Sequence, residues 1–111
     1  MRTLKFIVNA QTITKDPTCD FSNLIPGTDG YLRAEFSFSK EWDDYTRVAG
    51  FYSVMGKEYS PKLLAEGRYC IIPTDALVRR AFKVQVVGKK LSDGSTLNTN
   101  KVEVYQDGGI A

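Results

Sequence analysis

The chain has 111 residues, of which 42% are hydrophobic and 25% charged, with a formal net charge of +2. Those values describe one ordinary globular domain; they exclude a disordered polar chain, and the charge is too small for a phosphate-binding surface. Histidine is absent, so the commonest general base, the usual metal ligand and the physiological pH switch are all missing.

The residues after Met1, RTLKFIVNAQ, carry a short apolar run broken by Lys5 and Asn9, which is not a signal peptide. No apolar stretch approaches the roughly 18 residues of a bilayer span. The expectation is a soluble protein made in the cytoplasm. Leu4, Phe6 and Val8 alternate with Lys5, Ile7 and Asn9, the period-two pattern of a half-buried strand. VNAQT, residues 8–12, is short enough for a hairpin turn into a second strand, QTITK. DPTCDFSNLIPGTDG, with Pro17, Pro26, Gly27 and Gly30, reads as a long surface connection anchored by Phe21 or Leu24.

YLRAEFSFSKEWDDYTRVAGFYS, residues 31–53, gives two strands joined by an acidic corner. In the first, Leu32, Ala34, Phe36 and Phe38 oppose Arg33, Glu35, Ser37 and Ser39. Glu41, Asp43 and Asp44 around Trp42 would suit acid–base work or a hard cation. They lack the spacing and the glycine of a calcium loop. The plainer reading is that Trp42 plugs one end of the core while the acids stay in water.

Further on, VMGKE places Gly56 in a hairpin between FYSV and KEYSP, and LLAEGRYCIIP turns at Glu66-Gly67 before an apolar strand from Tyr69 to Ile72. PTDALVRRA is the one helical segment: a short turn near 74–80, with Thr74 as N-cap, Asp75 in the first turn and Leu77 buried. Phe82, Val84 and Val86 alternate with Lys83 and Gln85, Asp93-Gly94 marks a hairpin, and Val102 and Val104 alternate with Lys101, Glu103 and Tyr105. Gly108 and Gly109 then release the last strand into a flexible exit over 106–111. The pattern predicts one all-β domain over 1–111, an antiparallel immunoglobulin-like β-sandwich of about seven to nine short strands, with a barrel as the rival. Phe36, Phe38, Trp42, Phe82, Val84 and Val102 are its expected core.

Chemical equipment is thin. Cys19 and Cys70 are too few for a disulfide scaffold; they are either small buried hydrophobes or one bridge between an early loop and a middle strand. No nucleophile has a base beside it in a known motif, and the glycines fall in turns or at the tail rather than in a phosphate loop. No catalytic, cofactor-binding or metal-ligating residue is assigned, and no enzyme is expected. A single-strand nucleic-acid surface would rest on Arg79, Arg80, Lys83, Lys89 and Lys90, with Tyr69 and Tyr105 for stacking. Those bases are offset by 13 acidic residues, so neither nucleic acid nor a membrane is the expected partner. The six tyrosines point to surface recognition, with Tyr45, Tyr52, Tyr59 and Tyr105 as candidate interface residues; the alternative is that tyrosine is simply a good strand residue.

Five segments carry a further reading: TLKFIV, YLRAEFSFSKEWDDYTRVAGF, YCIIPTDAL, FKVQVVGKK and LNTNKVEVYQDGG. In this order, with an aromatic F-x-F-S-x-E-W segment at Phe36 to Trp42, C-x-I-P at Cys70 to Pro73, F-x-V-x-V-x-G at Phe82 to Gly88 and T-N-K-V-x-V at Thr99 to Val104, the chain resembles a small β-sandwich module. That module occurs in tail, baseplate and fibre-associated proteins of phages and prophages of Gram-positive bacteria. The resemblance implies a non-enzymatic structural or adaptor role in a virion assembled in the host cytoplasm. Its partners would be phage structural proteins or further copies of itself, a homo-oligomer being expected. Strand addition at the sheet margins, over 3–14 and 94–105, is the expected docking mode. Two other roles fit a chain of this size: a host-directed phage protein that inhibits a bacterial enzyme or defence complex, and a carbohydrate-binding module using Trp42 and tyrosines as platforms.

Overall fold

The computed structural model describes residues 1–108. Alternation dictates its strands. Along β1 (Arg2–Asn9), Leu4, Phe6 and Val8 are buried, and along β7 (Ala81–Lys90), Phe82, Val84, Val86 and Gly88 are buried while the residues between them face outward. The remaining strands are β2 (Thr12–Lys15), β3 (Leu32–Phe38), β4 (Tyr45–Tyr52), β5 (Lys62–Leu63), β6 (Tyr69–Ile71), β8 (Thr96–Asn98) and β9 (Val102–Tyr105). They form two sheets, one ordered β2-β1-β3-β6 and the other β5-β4-β7-β8, with β9 also on β7. The inner faces meet in one core in which Trp42, Phe6, Phe36, Phe51 and Phe82 are the largest fully buried side chains. The result is the expected all-β sandwich.

One pairing departs from the antiparallel expectation. β1 and β3 run parallel, with Phe6 beside Phe36 and Val8 beside Phe38. Parallel neighbours need a crossover of about a dozen residues or more, and the Pro- and Gly-rich stretch after Lys15 supplies it. Leu24 (1% exposed) is buried along that crossover and Phe21 packs edge-on against Phe6, so both proposed anchors hold it. Three Asp-x-Ser/Thr turns recur, at Asp16, Asp20 and Asp93. In each, one carboxylate oxygen accepts the backbone N–H and the hydroxyl of the residue two positions on. Those bonds hold all three carboxyls below the usual aspartate range.

The helical segment is a 3-10 turn over Thr74–Val78, ending before 80 because Arg79 is already extended. Pro73, not Thr74, occupies the N-cap position, and the Thr74 hydroxyl donates instead to Asp29 at 2.7 Å. Phe36, Trp42, Phe82 and Val84 are core as expected, but Phe38 and Val102 are only half-buried and lie against the core's edge. Phe38 sits where β3 runs out into the corner, and Val102 where β9 resumes after a break. The exit expected from 106 is anchored at its start: Gln106 (4% exposed) donates to the carbonyls of Leu77 and Arg79, and the Asp107 N–H donates to Leu24. Residues 109–111 lie outside the described residues.

The two margins of the sandwich differ. At one, β8 and β9 lie end to end along β7, separated by Thr99, Asn100 and Lys101. Thr99 keeps the ladder going: its hydroxyl accepts the Val86 N–H while its own N–H donates to the Val86 carbonyl. The freed Asn100 crosses to the other sheet, accepting the Ile13 N–H at 2.8 Å and donating its backbone N–H to the Gln11 carbonyl. These bonds staple β2 to the β8–β9 junction. At the other margin, β5 and β6 leave a tight turn closed by the Ala65–Tyr69 bridge and diverge, one into each sheet.

Candidate functional site

The acidic corner is a single 3-10 turn, Lys40–Trp42. Trp42 is fully buried, and its indole N–H donates to the Ala10 carbonyl at 2.8 Å. The ring continues a stack that runs from Phe6 through Phe36 and Phe38 to Trp42 and Tyr45, with centroids 5.3 to 6.2 Å apart. Glu41, Asp43 and Asp44 are exposed. The Glu41 carboxyl lies below its ordinary range because its own backbone N–H and the Ser39 hydroxyl bond to it. Among the described residues, no group of three or more acidic or cysteine side chains is gathered to hold a metal ion. Trp42 is thus a core residue of the corner, with no free face to offer a sugar.

Sequence reasoning missed the residue that locks this corner. Arg47 on β4 donates to the carbonyls of Trp42 and Gly67, both at 2.9 Å, and its guanidinium lies 4.2 Å from the Phe38 ring centroid. One planar cation thereby joins the corner to the turn between the sheets. An arginine at an ordinary alternation position gave no signal of it.

The four candidate interface tyrosines separate. Tyr59 is 7% exposed and leaves the set. Tyr45 is half-buried between the Trp42 ring and the Lys90 ammonium. Tyr52 is half-buried too: its hydroxyl donates to Gln85, the Lys101 ammonium sits 3.9 Å above its ring, and burial followed by the Glu58 charge pushes its pKa up. Tyr105 alone of the four presents a ring to solvent, at 61% exposure. The basic residues do not form one surface either. Arg80 and Lys90 stand at opposite ends of β7, about 30 Å apart at the usual rise per strand residue, and Tyr69 lies in the other sheet, between Arg33 and Arg68.

Two concavities stand out among the described residues. A groove of about 420 Å³ opens at one end of the second sheet, beneath the 53–57 turn, with Val54, Met55, Tyr59, Ala81 and Tyr105 among its walls. A more open cleft of about 560 Å³ follows the diverging β5–β6 margin, between Ser60 and Lys62 on one side and Ile71 to Asp75 on the other. The apolar pair Val54-Met55, sitting in a turn where polar residues are usual, was the readable sign of the first. The second depends on which strands are edges, which alternation does not reveal.

Cys19 and Cys70 are both free thiols. Burial pushes the Cys70 thiol up to about 12, against a smaller opposing effect of Lys62. A thiol-specific reagent at pH 8 is thus expected to label Cys19 well before Cys70, with both reacting once the chain is unfolded. Because the folded value lies above the ordinary 9.0, the unfolded chain ionises first. The stability this group contributes below pH 9 is lost as the pH climbs toward 12. Cys70→Ala should flatten that part of a stability–pH curve; an unchanged slope would assign the loss to other groups.

Searches of protein-family models, curated proteins and solved structures returned no match to this chain.

Proposed function

We propose that the chain is a non-enzymatic structural or adaptor module of a phage or prophage particle, acting by protein–protein contact in a tail or baseplate assembly. The observation that carries this reading is the inequality of the two margins. The β2 and β8–β9 margin is stapled by Asn100, so strand addition over 94–105 meets an occupied edge, and residues 3–9 are central rather than marginal because β1 lies between β2 and β3. The β5–β6 margin is open. Leu64 bonds back to Arg47 and Ile72 to Leu32, so by strand alternation the main chain of Leu63 and Ile71 faces away from the sheets. Their side chains are 67% and 39% exposed, and Val78 (39%) lines the cleft together with Ile71.

An edge with apolar side chains on either flank supports docking of an extended partner segment or of a second copy. The order of the aromatic, C-x-I-P and closing-strand motifs supports the particle context. The test is twofold: light scattering over a concentration series, and gradient sedimentation of tagged protein with particles from an induced host. A closed oligomer or co-sedimentation is expected, weakened by Leu63→Lys with Ile71→Lys. A monomer at every concentration that never enters the particle fraction would remove the reading.

A further inference from the structure

We infer that the groove beneath the 53–57 turn is a binding site for a small amphiphilic carboxylate, an apolar body of aryl-alkanoate size carrying one acid group. This site is separate from the β5–β6 margin and does not depend on it. The groove volume of about 420 Å³ falls in the range of small-molecule sites. Its apolar part is Val54, Met55, Ala81 and the Tyr105 ring; Met55 is 91% and Val54 43% exposed, an arrangement that leaves apolar surface in water unless something covers it.

The charged groups on the lining share one sign. Lys57 and Arg80 stand on the lining and are exposed, Arg79 lines it too, and the Lys15 ammonium lies 5.5 Å from the Tyr105 ring centroid. Among the described residues, no acidic one lines the groove. The carboxylate beside it, Glu103, is engaged with the Tyr105 hydroxyl, which raises that tyrosine's pKa. The second, independent observation is Tyr59. It belongs to the wall, it is 7% exposed, and its hydroxyl is buried without a hydrogen-bond partner among the described residues. Buried hydroxyls are normally paired; this one is closed off behind the groove wall, an unmet donor that a ligand's polar atom reaches when the Tyr59 ring shifts.

The turn over the groove is also pre-formed. The 53–57 turn is closed by Ser53 N–H to the Lys57 carbonyl, Gly56 N–H to the Ser53 carbonyl and Lys57 N–H to the Ser53 hydroxyl, at 2.8 to 3.0 Å. A wall held in this way needs little ordering when a ligand arrives.

The experiment is an NMR titration of the full chain with 4-phenylbutyrate and, in parallel, its neutral amide. Saturable shifts confined to Met55, Lys57, Ala81 and Tyr105 are expected, with half-saturation below about 1 mM for the acid, a value suited to a ligand of this size. The amide should bind about tenfold more weakly. Lys57→Gln with Arg80→Gln, both exposed, should cut that preference to about threefold or less. Tyr59→Phe should weaken acid and amide alike by about threefold or more. Equal binding of acid and amide, shifts scattered beyond the groove, or no saturation by about 10 mM would overturn the assignment.

Discussion

Trp42→Ala is expected to lower the free energy of unfolding by about 3–5 kcal/mol. The residue is fully buried, and truncation leaves a cavity that its neighbours cannot fill. Phe38 and Tyr45 lose the ring between them, with centroids at 5.3 and 5.9 Å from the indole. The Ala10 carbonyl loses its indole donor, and it belongs to the β1–β2 turn where Ala10 adopts φ 52, so the hairpin is weakened together with the core. Trp42→Phe should fall between the two, restoring ring volume but not the donor. Urea unfolding followed by circular dichroism measures both. Asp43→Asn and Asp44→Asn should move stability by a few tenths of a kcal/mol, since both carboxylates are exposed and asparagine tolerates the left-handed φ of 67 at Asp44. If those two changes abolished a measured binding activity while Trp42→Ala left it intact, the corner would be a site after all.

The strands, hairpins and Trp42 plug were legible because each is written locally. Alternation over 32–38 and 81–88 fixes which residues turn inward, and glycine or Asp-Gly fixes where the chain reverses. What could not be read was set by distant partners. The parallel β1–β3 pair follows from the reach of the 16–31 crossover, not from either strand. Tyr59 occupies a position that its own neighbours describe as surface, and it is buried by the fold of the 53–57 turn. Asn100 reads as a loop residue, yet it joins the two sheets through a bond to Ile13, 87 residues away. The recognition surfaces belong to this second group. Leu63, Ile71 and Met55 become notable only when the edges and the groove are known.

Gly88→Ala should cost about 1–3 kcal/mol, although alanine is the better strand residue and no unusual backbone angle protects this glycine. The cause is one contact. A methyl group at residue 88 would lie 2.6 Å from Trp42 Cζ3, 3.1 Å from Cε3 and 3.2 Å from Tyr45 Cδ2. The indole cannot retreat, because Ala10 holds its N–H and Phe38 packs its other side. The glycine of the F-x-V-x-V-x-G strand is thus the seat of the corner tryptophan, and the two residues should be energetically coupled. A double-mutant cycle decides it. In the Trp42→Ala background the extra methyl enters space that the indole has vacated, so Gly88→Ala should become nearly neutral or mildly stabilising, giving a coupling energy of about 1–3 kcal/mol. If the substitution costs the same with and without the indole, steric exclusion by Trp42 is not its cause.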